Sequence, residues 1–463
     1  MNVEIMTLGR TKRALDTMAV DDLRSRVRGQ VLMAADAGYD AARRIWNAMI
    51  DKRPALIARC EGAADVGEAV RFAGAHEMLV SVRGGGHNVA GTAVCDGGLM
   101  IDLSPMKGIR VDPVARTAWA QPGLLWQDFD RETQAYGLAT TGGVVGETGI
   151  AGLTLGGGVG WLVRKHALTC DNLLAVDVVT ADGKLRHASP EANQDLFWAL
   201  RGGGGNFGVV TAFHYQLHEV STILGGLVIH PRAAARDVIR FHRDFITSAP
   251  EELTSYVALL TAPDGNPVVA LASCYCGDLA EGERVLRPLR EFGSPLVDAM
   301  QPMPYAGMQG LLGPSFPWNN RNYWKSSYLN TLPDAAIDAI VEHANRCRSA
   351  LSAVIIEYYG GAVSRVEPEA TAFSHREASF NILFVGQWKE AAEDALHVQW
   401  ARDCCDAINP WASGVYMNAL SEGEGAQAVR EAYGANYARL AALKAQYDPK
   451  NLFQMNQNIM PSN

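Results

Sequence analysis

Three glycine-rich segments in the first half of the chain restrict its fold more than any other feature. The first, residues 83–88, directly follows the apolar run LVSV, the second covers residues 140–160, and the third covers residues 202–208. Glycine allows backbone N–H groups to approach an anion closely and to form a concave site around it. One such segment is more simply a tight turn between strands. Three of them together predict a phosphate or pyrophosphate site.

The common nucleotide motifs do not explain these segments. Gly203, Gly205 and Gly208 fit the pattern GxGxxG, but a dinucleotide loop should follow a strand and begin a helix. Here a helical run precedes the glycines and a strand-like run follows them. The patterns GxxxxGK[ST] and GxSxG do not occur in the sequence. The glycine segments therefore indicate another nucleotide-containing ligand.

Longer motifs connect the three segments to one family. The run RGGGHN, followed by VAGTAVCDGGLMIDLS, resembles the flavin-attachment segment of the vanillyl-alcohol oxidase and p-cresol methylhydroxylase (PCMH) superfamily. The closer similarity is to the berberine-bridge-enzyme-like FAD-linked oxidases of that superfamily. Further matching motifs include AQPGLLW, TTGG, GLTLGGGVGWLVRKHALTCDNLLAVDVVTADG, DLFWALRGGGGNFGVVT and NQNI. The resemblance covers residues 38–463.

The resemblance implies FAD bound covalently, through its 8α-methyl group, to His87. An imidazole is a competent nucleophile at neutral pH, and in the family this link raises the redox potential of the flavin. Many members form a second link from a cysteine in the second glycine segment. Val145 occupies that position here, and Cys170 lies beyond the segment. We therefore expect a single link.

The resemblance also implies the other residues that hold the cofactor. The pyrophosphate is expected on the first two glycine segments, the ribityl or adenine end against backbone atoms further along, and the flavin beside the C-terminal motif MNQN. These residues are Arg83, Gly84, Gly85, Gly86, Asn88, Thr141, Gly142, Gly143, Thr148, Gly149, Gly152, Gly156, Val209, Asn456 and Asn458. We interpret residues 202–205 as a structural turn beside the cofactor.

The catalytic candidates lie on a predicted strand and in a short motif. The run AVIIEYYGG alternates, so Glu357 and Tyr359 should face one side and Tyr358 the other. Glu357 is the candidate general base, or the anion that holds a cationic amine; a solvent-facing strand residue is the alternative. Tyr416 resembles the first tyrosine of the family motif YxNY, and Ala419 replaces the second. Deprotonation of substrate by Tyr416 requires a phenol pKa lowered by a nearby positive group.

The reaction expected from this resemblance is oxidation of a C–H bond next to OH or NH in a small, aromatic or natural-product substrate. Dioxygen would reoxidise the flavin and give hydrogen peroxide. The alternatives are a dehydrogenase or an oxidative cyclase of secondary metabolism with an acceptor other than dioxygen. Alignment places Thr148 near the flavin atom that controls this choice, and a small polar residue there does not decide it.

The expected fold class is α+β, with a discontinuous FAD-binding domain of PCMH type and a substrate domain whose antiparallel sheet is flanked by helices. We assign residues 1–37 to an N-terminal helical segment and 38–220 to the FAD-binding domain. Residues 221–410 form the substrate-binding domain, and 411–463 return to the FAD-binding domain.

Composition limits the partners. A net charge of −9 argues against nucleic acid and against polybasic membrane binding. No stretch has the length of a membrane span, no secretory signal is visible, and the eight cysteines show no disulfide or metal spacing. We expect a cytoplasmic enzyme with no metal, acting on a small molecule and dioxygen; the oligomeric state cannot be inferred.

Overall fold

The computed structural model describes residues 2–421 and 425–462, and its elements up to residue 220 form two layers of sheet with helices between and around them. The strands and helices of this part are β1 Asn2–Met6, β2 Lys12–Asp16, α1 Thr17–Arg26, β3 Gln30–Leu32, α2 Tyr39–Arg43, β4 Leu56–Arg59, α3 Ala63–Ala75, β5 Val80–Arg83, β6 Leu99–Asp102, β7 Ile109–Asp112, β8 Thr117–Ala120, α4 Trp126–Gln134, β9 Leu138–Ala139, α5 Ile150–Leu155, α6 Val163–His166, β10 Leu173–Val179, β11 Leu185–Ala188, α7 Gln194–Ala199, β12 Val209–Gln216 and β13 His218–Glu219. One sheet has the order β3-β4-β6-β5, with β6 parallel to both β4 and β5. The other is antiparallel, with the order β11-β10-β12-β8-β7.

The N-terminal residues differ from the expected helical segment. Strands β1 and β2 pair as an antiparallel hairpin, and helix occupies only residues 17–26 of the first 37. Leu15, inside the expected helical segment, lies in β2. Asp16 separates the two elements, because its side chain accepts a hydrogen bond from the backbone N–H of Met18 and caps α1.

The middle of the chain forms one broad antiparallel sheet with helices on one face. Its elements are β14 Thr222–Pro231, α8 Ala235–Ser248, β15 Leu253–Thr261, β16 Pro267–Tyr275, α9 Leu279–Glu291, β17 Val297–Asp298, β18 Gln301–Pro304, α10 Tyr305–Gly310, β19 Arg321–Leu329, α11 Asp334–Ala344, β20 Ala353–Tyr358, β21 Phe380–Trp388 and α12 Asp394–Ile408. The strand order is β17-β14-β16-β15-β20-β21-β19, and β18 pairs with β14. Apolar residues of alternate positions, such as Val257 and Ile356, pack under α8, α9, α11 and α12.

The opposite face of this sheet is turned toward the first part of the chain. Residues one position away from the helix-covered ones, such as Tyr256 and Ile355, lie on that face. The alternation therefore gives each strand one side for the core and one side for a cavity.

The C-terminal residues pack against the first part of the chain. Helices α13 Gly425–Tyr433 and α14 Tyr437–Tyr447 contribute Tyr433 and Leu440 to the core that also contains Phe207 and Val210. This packing is consistent with the return of residues 411–463, and the boundaries at 38–220, 221–410 and 411–463 remain our assignment.

Candidate active site

A cavity of about 870 Å³ lies between the glycine segments and the uncovered face of the broad sheet. The first and second glycine segments form one wall, and strands β14, β15, β16, β20 and β21 form the other. Residues of the C-terminal return, including Asn456, close one end. The cavity therefore brings together parts of the chain that are hundreds of residues apart.

The first two glycine segments touch each other through their backbones. A Cβ atom on Gly85 would lie 2.5 Å from the Cα of Gly149, and a Cβ on Gly149 would lie 2.5 Å from the amide nitrogen of Gly85. No larger residue fits at this contact. Gly152 differs, because a Cβ there would have no neighbour within 4 Å among the described residues and the residue lines the cavity. The two segments thus present backbone, without side chains, to a ligand.

His87 lies at the end of the first segment and lines the cavity. Its Nε2 atom is buried and has no hydrogen-bond partner within residues 2–421 and 425–462. Burial lowers the pKa of the imidazole to about 4, so the ring is neutral at pH 7. A neutral imidazole nitrogen without a partner is available as a nucleophile.

Trp46 and Asn47, about forty positions earlier in the chain, fix the position of His87. The indole of Trp46 stacks on the imidazole with ring centroids 4.2 Å apart and an interplanar angle of 19°. The backbone N–H of Trp46 donates to the carbonyl of Gly86 at 2.9 Å. Asn47 donates to the carbonyls of Val89 and Asn322 at 2.7 and 2.8 Å. The sequence did not predict this contact between Trp46 and His87.

Most of the predicted cofactor residues line the cavity. These are Gly84, Gly85, Gly86, His87, Asn88, Gly143, Thr148, Gly149, Gly152, Val209 and Asn456. The third glycine segment also lines it, through Gly204, Gly205 and Gly208, although we expected a structural turn there. Gly204 has a φ of +69°, which favours glycine, so a turn and a cavity wall coincide. Asn418 and Gln457 are further lining residues that the prediction omitted.

Five predicted cofactor residues are absent from the described cavity wall and have other contacts. Arg83 donates from Nη1 to the carbonyl of Ala42. Thr141 is buried and donates to the carbonyl of Ala167 at 2.8 Å. The other three pack against neighbouring side chains: Gly142 against Trp126, Gly156 against Asn418, and Asn458 against Met460. These five residues thus have contacts that support the cavity, and their contact with the cofactor stays a prediction.

Gln309 connects α10 to the second glycine segment from behind. Its Nε2 donates to Oδ2 of Asp130 at 2.9 Å and to the carbonyl of Gly143 at 3.1 Å. Asp130 is buried in α4, and its Oδ1 has no partner within the described ranges. Burial raises the pKa of this carboxyl to about 7, and the bond from Gln309 opposes the rise.

Glu357 lies on the sheet side of the cavity with two hydrogen-bond donors. The hydroxyl of Tyr359 and the side-chain amide of Asn381 each donate to Oε2 at 2.8 Å, and the amide also donates to the tyrosine hydroxyl at 3.0 Å. The three side chains share one face of the sheet, as the alternation predicted for Glu357 and Tyr359. Burial raises the pKa of Glu357, and the two donors oppose that rise. Tyr359 is buried behind Glu357 and is not among the described lining residues.

Tyr416 lines the cavity, but its environment is the opposite of the one we expected. Its hydroxyl oxygen accepts hydrogen bonds from the Asn418 amide at 2.9 Å and from the backbone N–H of Gly158 at 3.3 Å. Burial raises the pKa of the phenol, and the charge of Glu357 raises it further. No cationic side chain among the described residues lowers it. The described residues thus supply no positive group beside Tyr416, and its role as a base stays a prediction.

The rest of the cavity wall is largely apolar. Glu357 is its sole carboxylate, and no lysine, arginine or cysteine lines it within the described part of the chain. Val145 lies on this wall, and Cys170 is buried outside it. The site thus offers one nucleophile, His87, and one acid–base group, Glu357.

These residues fit FAD. Glycine backbone can surround a pyrophosphate, His87 has an unpaired nitrogen for the flavin, and the space above Gly152 is open to a large ligand. No group of three or more histidine, cysteine, aspartate or glutamate side chains in the described residues could hold a metal ion. Fold and site together define a flavin-dependent oxidoreductase.

Comparison with known proteins agrees with this class. The family described as an FAD binding domain matches residues 54–189, and the family described as berberine and berberine-like matches residues 415–460. An FAD-linked oxidoreductase of Dictyostelium discoideum is 31% identical over 420 residues, which cover 90% of this chain and 91% of that protein. (R)-6-hydroxynicotine oxidase of Paenarthrobacter nicotinovorans is 31% identical over 455 residues, 94% of this chain and 97% of the relative.

Solved structures give the same result. The crystal structure of 6-hydroxy-D-nicotine oxidase from Arthrobacter nicotinovorans superposes with a TM-score of 0.87 and 32% identity, over 94% of this chain and 98% of the other. The chain belongs to the berberine-bridge-enzyme-like FAD-linked oxidoreductases of the PCMH superfamily. The predicted family and α+β fold class are confirmed. None of the helices in the described residues is both long and apolar enough to cross a membrane.

Proposed function

We propose that this enzyme is an FAD-dependent oxidase that removes a hydride from a C–H bond next to OH or NH in a small apolar substrate. Bound FAD supplies the two-electron acceptor, and dioxygen takes the electrons to give hydrogen peroxide. One observation carries the proposal: among the described lining residues, Glu357 is the single carboxylate of a largely apolar wall opposite the glycine segments and His87.

Glu357 is the group that takes the substrate proton. Glu357 lines the cavity, and Tyr359 and Asn381 fix its Oε2. Because burial raises its pKa, the Glu357 carboxylate is a stronger base than an exposed glutamate. A substrate OH or NH pointing at this carboxylate places the adjacent C–H bond toward the opposite wall.

The wall also favours a class of substrate. Strands β14 to β16 present Leu227, Ile229 and Ala270 to the cavity, and Trp324 adds an aromatic surface. An apolar or aromatic molecule with one hydroxyl or amine group buries its surface there. A sugar acid would find no cationic partner among the described lining residues. Among the relatives, a chitooligosaccharide oxidase of Gibberella zeae is named for a sugar and the nicotine oxidase for an aromatic amine; the apolar wall favours the second type.

The test is Glu357→Gln, which keeps the shape and the hydrogen-bond acceptor for Asn381 but removes the base. Turnover should fall by roughly 100-fold or more, as for loss of a general base, while flavin content and visible spectrum stay unchanged. Peroxide release and dye reduction would be measured with a panel of aromatic amines and alcohols. The exposed Glu283→Gln serves as the control. Full turnover by Glu357→Gln would exclude this carboxylate from the reaction, and dye reduction without peroxide would replace the oxidase with a dehydrogenase.

The covalent link to His87 forms part of the proposal. Acid-denatured protein should keep its flavin on the peptide that contains His87, and His87→Ala should release it. Flavin released from the wild-type enzyme would contradict the link while leaving the FAD-dependent oxidation open to the turnover test.

A further inference from the structure

The stack between Trp46 and His87 carries information beyond the proposed reaction. Trp46 is fully buried, and three separate contacts hold it. Its backbone N–H donates to Gly86, its indole N–H donates to the carbonyl of Phe316 at 3.0 Å, and its ring meets Trp324 edge-on at 5.7 Å. Because these three contacts fix the indole of Trp46, the indole is a rigid surface for the imidazole of His87.

Within the described residues, hydrogen bonding does little to fix the ring plane of His87, because the imidazole bonds to the backbone of His87 itself. The segment 84–86 before His87 is glycine throughout, and Nε2 makes no hydrogen bond within the described residues. A histidine side chain normally obtains its orientation from a hydrogen bond to one ring nitrogen, because that bond fixes tautomer and ring plane. His87 instead bonds to its own backbone, and the aromatic stack at 4.2 Å sets the plane of the ring, while Nε2 has no partner among the described residues.

We propose that Trp46 is a positioning residue for the attachment of FAD to His87. Its indole holds the plane of the imidazole at the cavity wall, which His87 lines. This inference rests on the covalent link proposed above.

The attachment of FAD to His87 is a two-electron oxidation. One C–H bond of the 8α-methyl group and one imidazole N–H bond break, and an N–C bond forms between His87 and the 8α-carbon. The two electrons and two protons released leave with dioxygen as hydrogen peroxide. Trp46 contributes no atom to this change; it reduces the orientations that the nucleophile samples, and misplacement of a reacting group by about 1 Å can slow a reaction 100-fold.

The experiment compares Trp46→Phe with Trp46→Leu. Phenylalanine keeps a flat ring for the stack but loses the bond to Phe316, whereas leucine fills part of the space with no flat face. Apoprotein would be mixed with FAD, and the acid-stable flavin per chain would be followed by intact mass. Attachment in Trp46→Phe should stay within about threefold of the wild-type rate, and Trp46→Leu should be at least about tenfold slower with FAD still bound.

The matched control is Trp400→Leu. Trp400 is also buried and also donates its indole N–H to a backbone carbonyl, that of His343 at 3.0 Å, but it lies in the helix-covered core. This variant loses a similar packing contribution and should attach FAD at the wild-type rate. A slow rate in the control would mean that general loosening of the fold slows attachment, and would overturn the proposal.

A pH profile separates positioning from simple packing. Burial holds the pKa of His87 at about 4, and none of the charged groups on the neighbouring elements contributes to that shift: Arg83 on β5, Arg43 and Arg44 beside Trp46, and Glu357 across the cavity. Attachment in the wild type should therefore be independent of His87 protonation from pH 8 down to about pH 5. In Trp46→Leu, water reaches the ring, the pKa rises toward its ordinary value of ~6.5, and the rate should fall below that pH.

Three results would overturn the proposal. The first is equal attachment rates in Trp46→Leu and the wild type. The second is an equal loss of rate in Trp46→Phe and Trp46→Leu, and the third is loss of FAD binding by both variants, because either result assigns Trp46 to the fold alone. Flavin that stays noncovalent in the wild type would instead refute the link itself, a result that is distinct because it appears before any substitution is made.

Discussion

Asp130 should make this enzyme less stable as the pH rises from about 4 to about 7. The group has no cationic partner among the described residues, and burial raises its pKa from 3.8 to about 7. The folded protein therefore holds a proton that the unfolded chain has already released above pH ~4. The stabilisation from protonated Asp130 is fully present below the pKa of this group in the unfolded chain. It is lost as the pH rises through the pKa of Asp130 in the folded protein.

The magnitude follows from the two pKa values. Their difference is about 3 units, and each unit corresponds to ~1.36 kcal/mol, so the loss above pH 7 approaches about 4 kcal/mol. Asp130→Asn removes the titration and keeps an oxygen that can accept from Gln309. Relative to the wild type, the variant should therefore gain about 3 kcal/mol between pH 5 and pH 8.

The assay is urea denaturation of wild type and Asp130→Asn at pH 5 and pH 8, followed by tryptophan fluorescence. Asp128→Asn is the matched control, because Asp128 is in the same helix but binds Lys107 at the surface, 3.1 Å away. The control shows how a substitution on the exposed side of the same helix changes the free energy of unfolding at the two pH values. If the difference between Asp130→Asn and the wild type stays constant with pH, the assignment of a buried, protonated Asp130 is refuted.

Further predictions concern the glycine segments and the C-terminal return. Gly152→Ala should leave the unfolding free energy of the apoprotein unchanged or slightly higher, because alanine is the better helix former. FAD titration of the same variant should show binding weakened at least about tenfold, because the added methyl group enters the cavity. Gly85→Ala should abolish FAD binding, because the contact with Gly149 is between backbones that cannot move aside; normal FAD binding by this variant would contradict the geometry. Lys444→Met should lower the free energy of unfolding by about 3 kcal/mol in urea denaturation, because it leaves the buried carboxylate of Asp448 without its cation. A loss below ~1 kcal/mol would show that backbone N–H donors alone stabilise the Asp448 carboxylate.

The glycine pattern and the strand alternation predicted much of the site. The first two glycine segments line the cavity with His87, and the alternation of AVIIEYY places Glu357 and Tyr359 on one face. Both inferences rest on local rules: glycine at close backbone approach, and a period of two in a strand.

The remaining parts depend on contacts between distant segments. Trp46 reaches His87 from 41 positions earlier in the chain, and nothing in the run ARRIWNAM marks that contact. Asn381 faces Glu357 because β20 and β21 pair in a particular register, which the sequence does not state. The N-terminal hairpin was the exception: Asp16 in front of Met18 is a visible helix cap that could have placed the start of α1.

The C-terminal residues at one end of the cavity determine when, during synthesis, the binding site becomes complete. Asn456 and Gln457 line the site, and the bonds of Asn206 and Lys444 to this last segment hold it against the third glycine turn. A ribosome exposes the glycine segments long before it releases these residues, so domains that fold during synthesis do so here without a complete binding site. Capture of the cofactor by a complete site therefore follows the synthesis of Asn456 and Gln457. The supply of FAD then governs how long each new molecule stays in its apo form, and with it the exposure of an open apolar cavity to the protein quality-control machinery of the cell.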